Sequence, residues 1–126
     1  MLQVTAGIIK KKERILIARR KAGKHLAGYW EFPGGKLEEN ETPEDCLKRE
    51  IREELGIEIR VQAYFMDIIF HYPEKSICLL VYRAEYLSGE VALTDHDKAE
   101  WVAVNELEQY EFAPADKPIV VALISV

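Results

Sequence analysis

Between Thr42 and Gly56 the sequence specifies a helix with a defined start, a defined stop and one buried face, and that helix limits what the rest of the chain can build. Thr42 is a good N-cap, Pro43 suits the first helical position, and Glu44 and Asp45 put negative charge in the first turn. Asp45 stands where a capping-box Glu or Gln would stand, so the box is only approximate. Leu47, Ile51 and Leu55 fall at i, i+4 and i+8 as one apolar stripe, and Gly56 suits a left-handed C-cap.

Three glutamates crowd the edge of that stripe. Glu50, Glu53 and Glu54 share an arc of about 100°. Like charges at these spacings cost roughly a few tenths of a kcal/mol per pair on a solvated helix, and more where the dielectric falls. Arg49 can pair with Glu53, but one arginine cannot serve three carboxylates. A hard divalent cation can, sharing the rest of its shell with water and phosphate oxygens. The plainer alternative is a solvated acidic face. The acids abut the core stripe and follow a Gly34-Gly35 turn, and both facts favour the cation.

With 126 residues, 48% of them hydrophobic, the chain is expected to form a single domain over residues 1–126. A net charge of −5 argues against general nucleic-acid binding. It leaves room for a nucleotide, because a bound cation reverses the local sign. No apolar run approaches the ~20 residues of a membrane span, and the N-terminus lacks a signal-peptide pattern. Cys46 and Cys78 have no metal-ligand or redox spacing and are expected to be buried free thiols, which fits a reducing cytoplasm.

Leu2–Lys10 and Arg14–Arg20 read as strands joined by a polar turn at Lys11–Glu13. Arg19, Arg20, Lys21, Lys24 and His25 then bring positive charge into a glycine-containing loop; Arg20 is the expected phosphate contact. Trp30 and Phe32 alternate as a short core strand ended by Pro33. Glu58–Ile69 and Ser76–Leu87 read as strands around a turn at His71–Lys75. Thr94–Asp97 reads as a mobile loop, Glu100–Val104 as a strand, and Asn105 as the cap of a short helix. Ile119–Val126 reads as a final helix whose β-branched residues need tertiary packing.

Gly35, Glu41, Arg49-Glu50-Ile51, Glu53-Glu54 and Gly56-Ile57 fill every fixed position of a Nudix box, and the chain resembles that family. The run Trp30-Glu31-Phe32-Pro33-Gly34-Gly35-Lys36 looks like its MutT branch. The resemblance implies an α+β fold, an α/β/α sandwich around a mixed sheet, and magnesium-dependent hydrolysis of nucleoside diphosphates linked to another group, with manganese as a substitute. It implies metal binding by Glu50, Glu53, Glu54 and the Gly34 carbonyl, with Glu100 either reaching across or standing as a surface acid, and structural roles for Gly35, Glu41, Arg49 and Gly56. Glu50 is the chosen general base, with Glu53 adjacent in space.

Tyr72, Lys75 and Ile77 fall where MutT-like enzymes line the base pocket; the plainer reading is a hairpin end with one exposed aromatic. Asp116 replaces an asparagine that contacts oxidised guanine in MutT, and its Ala-Pro-Ala-Asp setting looks more like relatives acting on cytidine triphosphates. An ionised carboxylate there only accepts hydrogen bonds, which suits the exocyclic amine of cytosine or the N–H groups of an oxoguanine. A plainer role is N-cap of the last helix.

The expected activity is that of a nucleoside triphosphate pyrophosphohydrolase. It would sanitise the pool of 8-oxo-dGTP in support of DNA replication and repair. The same chemistry on CTP, dCTP or a modified pyrimidine triphosphate is the alternative. A non-catalytic nucleotide-binding module is the alternative of a different class, though such modules commonly lose the box acids that this chain keeps. The expected partner is a small nucleotide, with no nucleic acid and no membrane, for a monomer or homodimer.

Overall fold

The computed structural model describes residues 1–125. Strands β1 (Leu2–Lys11), β2 (Arg14–Arg20) and β3 (Trp30–Glu31) precede helix α1 (Pro43–Leu55). Strands β4 (Glu58–His71), β5 (Ser76–Ser88) and β6 (His96–Val102) follow, then 3-10 turns at Val104–Gln109 and Pro114–Asp116, then helix α2 (Lys117–Ile124). The strands form one six-stranded mixed sheet: β1 runs parallel to β5, and the other pairings are antiparallel.

Helix α1 behaves as its sequence dictates. Thr42 Oγ1 accepts the Asp45 amide at 3.1 Å, and Gly56 closes the helix at φ 70°. Its stripe of Leu47, Ile51 and Leu55 is fully buried against Ile9, Leu16 and Ile57 on one face of the sheet. The other face carries Ile8, Ile17 and Val81, covered by Leu107 of the first 3-10 turn and by Ile119 and Leu123 of α2. Trp30 and Phe32 bury on that second face, and Phe32 stacks on Phe112 with ring centroids 5.1 Å apart. The result is the expected three-layer α/β/α arrangement. No helix among the described residues is long and apolar enough to cross a membrane.

Four expectations need correcting. The Thr94–Asp97 loop is shorter than its polarity suggested, because β6 already begins at His96 and pairs with Arg20. Asn105 caps nothing; the turn after β6 is 3-10 and starts from Ala103, whose amide is taken by the Glu106 carboxylate at 2.8 Å. The last helix begins at Lys117, two residues early, and the Val126 part of its expected range lies outside the described residues. Of the two free thiols, Cys46 is buried but Cys78 only partly so.

Candidate active site

The site grows from a splay between two strands. β1 and β2 pair only at Lys10–Ile15 and Lys11–Arg14, next to their turn, and then diverge. The chain from Trp30 to Leu37 enters the gap: Trp30 and Glu31 pair with β2, while Val4 faces Lys36 across to β1. The carbonyls of Pro33 and Gly35 accept the amides of Gly7 and Thr5 at 2.8 and 2.7 Å. Between them the Gly34 carbonyl accepts no hydrogen bond from the described residues. A Cβ on Gly34 would overlap the Thr5 carbonyl, and one on Gly35 would overlap the Glu50 carboxylate. The paired glycines are therefore required by close approach, so that the turn can lie against α1.

Arg49 organises the acids. Its Nε and Nη2 donate to the two oxygens of Glu41 at 2.6 and 3.0 Å, a bidentate fork. Its Nη1 donates to Glu50 Oε1 at 2.8 Å and reaches Glu53 Oε1 at a weaker 3.4 Å. This holds the Glu41 carboxyl down at about 2. Burial raises Glu50 in spite of the arginine. Glu53 is the most open of the three, its side chain 59% exposed against 18% for Glu50. Glu54 receives nothing from Arg49. Its Oε1 is buried without a hydrogen-bond partner among the described residues. Burial, then the charges of Glu50, Glu31 and Asp95, push its carboxyl up to about 8.

That orphaned oxygen is the clearest mark of a cation. An unpaired buried carboxylate oxygen costs several kcal/mol, on the order of 3, unless something neutralises it. Among the described residues no three acids and histidines converge into a finished ion cage. Glu50, Glu54 and Gly34 instead line the wall of one open cavity of about 570 Å³. Such an incomplete donor set fits an ion that takes its remaining ligands from water and phosphate.

Glu100 does not join them. Its register opposite Ile17 puts it on the α2 side of the sheet, away from α1, and it is exposed. The strand parity that packs the partly buried Trp101 against the α1 side turns Glu100 the other way. The acids that do face Glu54 across the cavity are Glu31 and Asp95. Glu31 was missed by the sequence reading, although its place between two core aromatics requires it to point toward α1.

The same cavity extends to the base-pocket candidates. Tyr72, Lys75, Ile77 and Asp116 all line it, and so does Arg20. Asp116 occupies the N-cap position of α2 but makes no side-chain cap bond there; its Oδ2 instead accepts the Phe32 amide at 2.9 Å. The Tyr72 hydroxyl accepts the Ala115 amide at 3.1 Å, which joins the β4–β5 turn to the same segment. Burial, and secondarily the charge of Glu31, raise the Asp116 carboxyl well above the usual carboxylate range. A shift in that direction favours the protonated acid, which donates as well as accepts, over the acceptor-only ionised side chain.

A family model described as the NUDIX domain matches residues 1–123. The chain is 36% identical over 123 residues to an 8-oxo-dGTP diphosphatase of Escherichia coli, covering 97% of this chain and 95% of that one. It is 37% identical over 125 residues to a CTP pyrophosphohydrolase of the same organism, covering 99% and 93%. The solution structure of the E. coli ORF135 protein superposes with a TM-score of 0.86 at 36% identity, over 99% of this chain and 89% of the other.

Proposed function

The chain belongs to the Nudix family, whose hydrolases depend on divalent cations, and from that premise we propose that it is a nucleoside triphosphate pyrophosphohydrolase of the MutT type using magnesium, with manganese as a substitute. The observation that carries this reading is the buried, partnerless Glu54 oxygen beside Glu50 and the free Gly34 carbonyl, at the wall of a nucleotide-sized cavity.

Glu50, Glu53, Glu54 and the Gly34 carbonyl would hold one or more ions. The bound metal supplies charge neutralisation along the phosphate chain and acidifies a water. Arg49 and Gly35 fix Glu50 in position: one oxygen is held by the guanidinium and the other lies against the glycine. Its burial raises its proton affinity, which suits a general base that takes the proton from the attacking water. Glu53, exposed at the rim, is the second candidate for that proton. Arg20, which lines the same cavity, would contact the phosphates. Attack at the β-phosphorus yields nucleoside monophosphate and pyrophosphate.

The base end supports two substrates. In the protonated form that burial favours, the Asp116 carboxyl offers one donor and one acceptor. That pair complements the O6 and N7–H of 8-oxoguanine. It does not complement unmodified guanine, which presents two acceptors there. We favour 8-oxo-dGTP, in keeping with the relative of that name. The N3 and N4 edge of cytosine accommodates the same pair, and a CTP pyrophosphohydrolase is an equally similar relative.

Initial rates with magnesium on a panel of canonical and oxidised nucleoside triphosphates, with pyrophosphate and orthophosphate separated, test the reading. Pyrophosphate release, fastest from 8-oxo-dGTP, is the expected result. Orthophosphate as product would refute the scission site. A preference for unmodified dGTP would refute the role of Asp116. Binding with no turnover of any triphosphate would instead indicate a non-catalytic module.

A further inference from the structure

The site contains a buried histidine that the chemistry above does not use. His96 Nε2 lies 2.7 Å from Glu31 Oε2, with the imidazole 1% exposed. A carboxylate accepts only, so the imidazole donates. The other Glu31 oxygen accepts from Arg20 Nη1 at 2.9 Å. Arg20 Nε donates to the His25 carbonyl at 2.5 Å. Two of the three guanidinium nitrogens are thereby fixed, and Nη2 has no partner among the described residues, on a side chain that lines the cavity.

Backbone geometry shows that this arrangement is built in. β2 and β6 pair in regular register from Ile15–Val102 to Arg19–Lys98, and then a bulge brings His96 opposite Arg20 and leaves Asp97 unpaired. Without the bulge Asp97 would face Arg20, and a direct ion pair would occupy the guanidinium. With it, Asp97 pairs instead with Arg19, at 2.8 and 3.1 Å. Bulges beside active sites commonly re-aim a side chain in this way.

We infer that His96, acting through Glu31, positions Arg20 for the phosphate chain, so that Glu31 and His96 are positioning residues for substrate binding. The inference rests on the phosphate role proposed above for Arg20. The histidine anchors one carboxylate oxygen, the carboxylate orients the arginine through the other, and the free Nη2 edge is left to the ligand.

A double-mutant cycle tests it on the full chain with magnesium. Affinity for an α,β-methylene nucleoside triphosphate is measured by calorimetry, KM and kcat by pyrophosphate release, and melting temperature as a folding control. His96→Leu is expected to weaken affinity and raise KM about tenfold, with kcat within about twofold. His96→Gln, whose amide nitrogen can reach the Nε2 position, should stay within about threefold of the wild type. In an Arg20→Ala background His96→Leu should add less than about twofold, since both changes remove one device. Arg19→Ala should leave affinity as it was. Independent, multiplying effects of His96→Leu and Arg20→Ala would overturn the inference, as would a His96→Gln variant as weak as His96→Leu. Should His96→Leu fail to fold, Glu31→Gln takes its place in the cycle with the same expectations. If Arg20→Ala leaves affinity unchanged, the phosphate role itself is wrong, a failure distinct from loss of coupling in the cycle.

Discussion

Glu54→Gln should stabilise the metal-free protein at alkaline pH. The Glu54 carboxyl sits at about 8 in the fold against 4.5 for the ordinary side chain. Between those values the folded state binds a proton that the unfolded chain releases, so stability falls as pH rises through the interval. Each pH unit of it is worth about 1.4 kcal/mol, so the full effect at pH 8 is on the order of 4 kcal/mol. Glutamine abolishes the titration but still buries an amide with few partners, which returns about 1–3 kcal/mol of the gain. A net gain of about 2 kcal/mol corresponds to roughly 6–10 °C in melting temperature for a domain of this size. Thermal melts of both proteins in chelator from pH 4 to 9 should therefore cross near about pH 6, with the variant higher above it. Added magnesium should raise the wild type and not the variant. A Glu54→Gln protein that melts below the wild type at pH 8 in chelator would refute the burial of an uncompensated charge at this position.

Gly35→Ala should abolish most turnover, because its methyl group occupies the space of the Glu50 carboxylate; near-wild-type rates would mean that Glu50 need not lie there. Arg49→Leu should lower the melting temperature at neutral pH and flatten the acid limb. The stabilisation that Glu41 gains from the arginine is present above 4.5 and lost as pH falls toward about 2, and melts across that window read it directly. Asp116→Asn should keep the Phe32 hydrogen bond and the melting temperature and, because an amide also offers one donor and one acceptor, hold the ratio of kcat/KM for 8-oxo-dGTP over CTP within about twofold, whereas Asp116→Ala should shift it by about tenfold, the size of one lost polar contact. An unchanged ratio in Asp116→Ala would remove Asp116 from base recognition.

Helix α1 was legible to the residue, because cap, stripe and stop are all local signals. The acids of the box were legible for the same reason, since helical spacing fixes which side chains share an edge. What escaped was set by pairing between distant strands. Glu100 reads from sequence equally as a cross-site acid or a surface acid, and its register opposite Ile17 puts it on the other face, exposed. His96 looked like part of a polar loop, and no local signal marks the bulge that buries it against Glu31. Asp116 could be read as cap or ligand from sequence alone. The Phe32 amide, 84 residues away in the chain, takes its Oδ2 and leaves no side-chain cap on α2.

Manganese binding followed by electron paramagnetic resonance tests the acid cluster most directly. The wild type should take up at least one ion in competition with magnesium, and Glu53→Gln and Glu54→Gln should each bind it far more weakly while remaining folded. Wild-type affinity retained in both variants, or no uptake by the wild type with a nonhydrolysable triphosphate present, would contradict the assignment of these carboxylates to a cation.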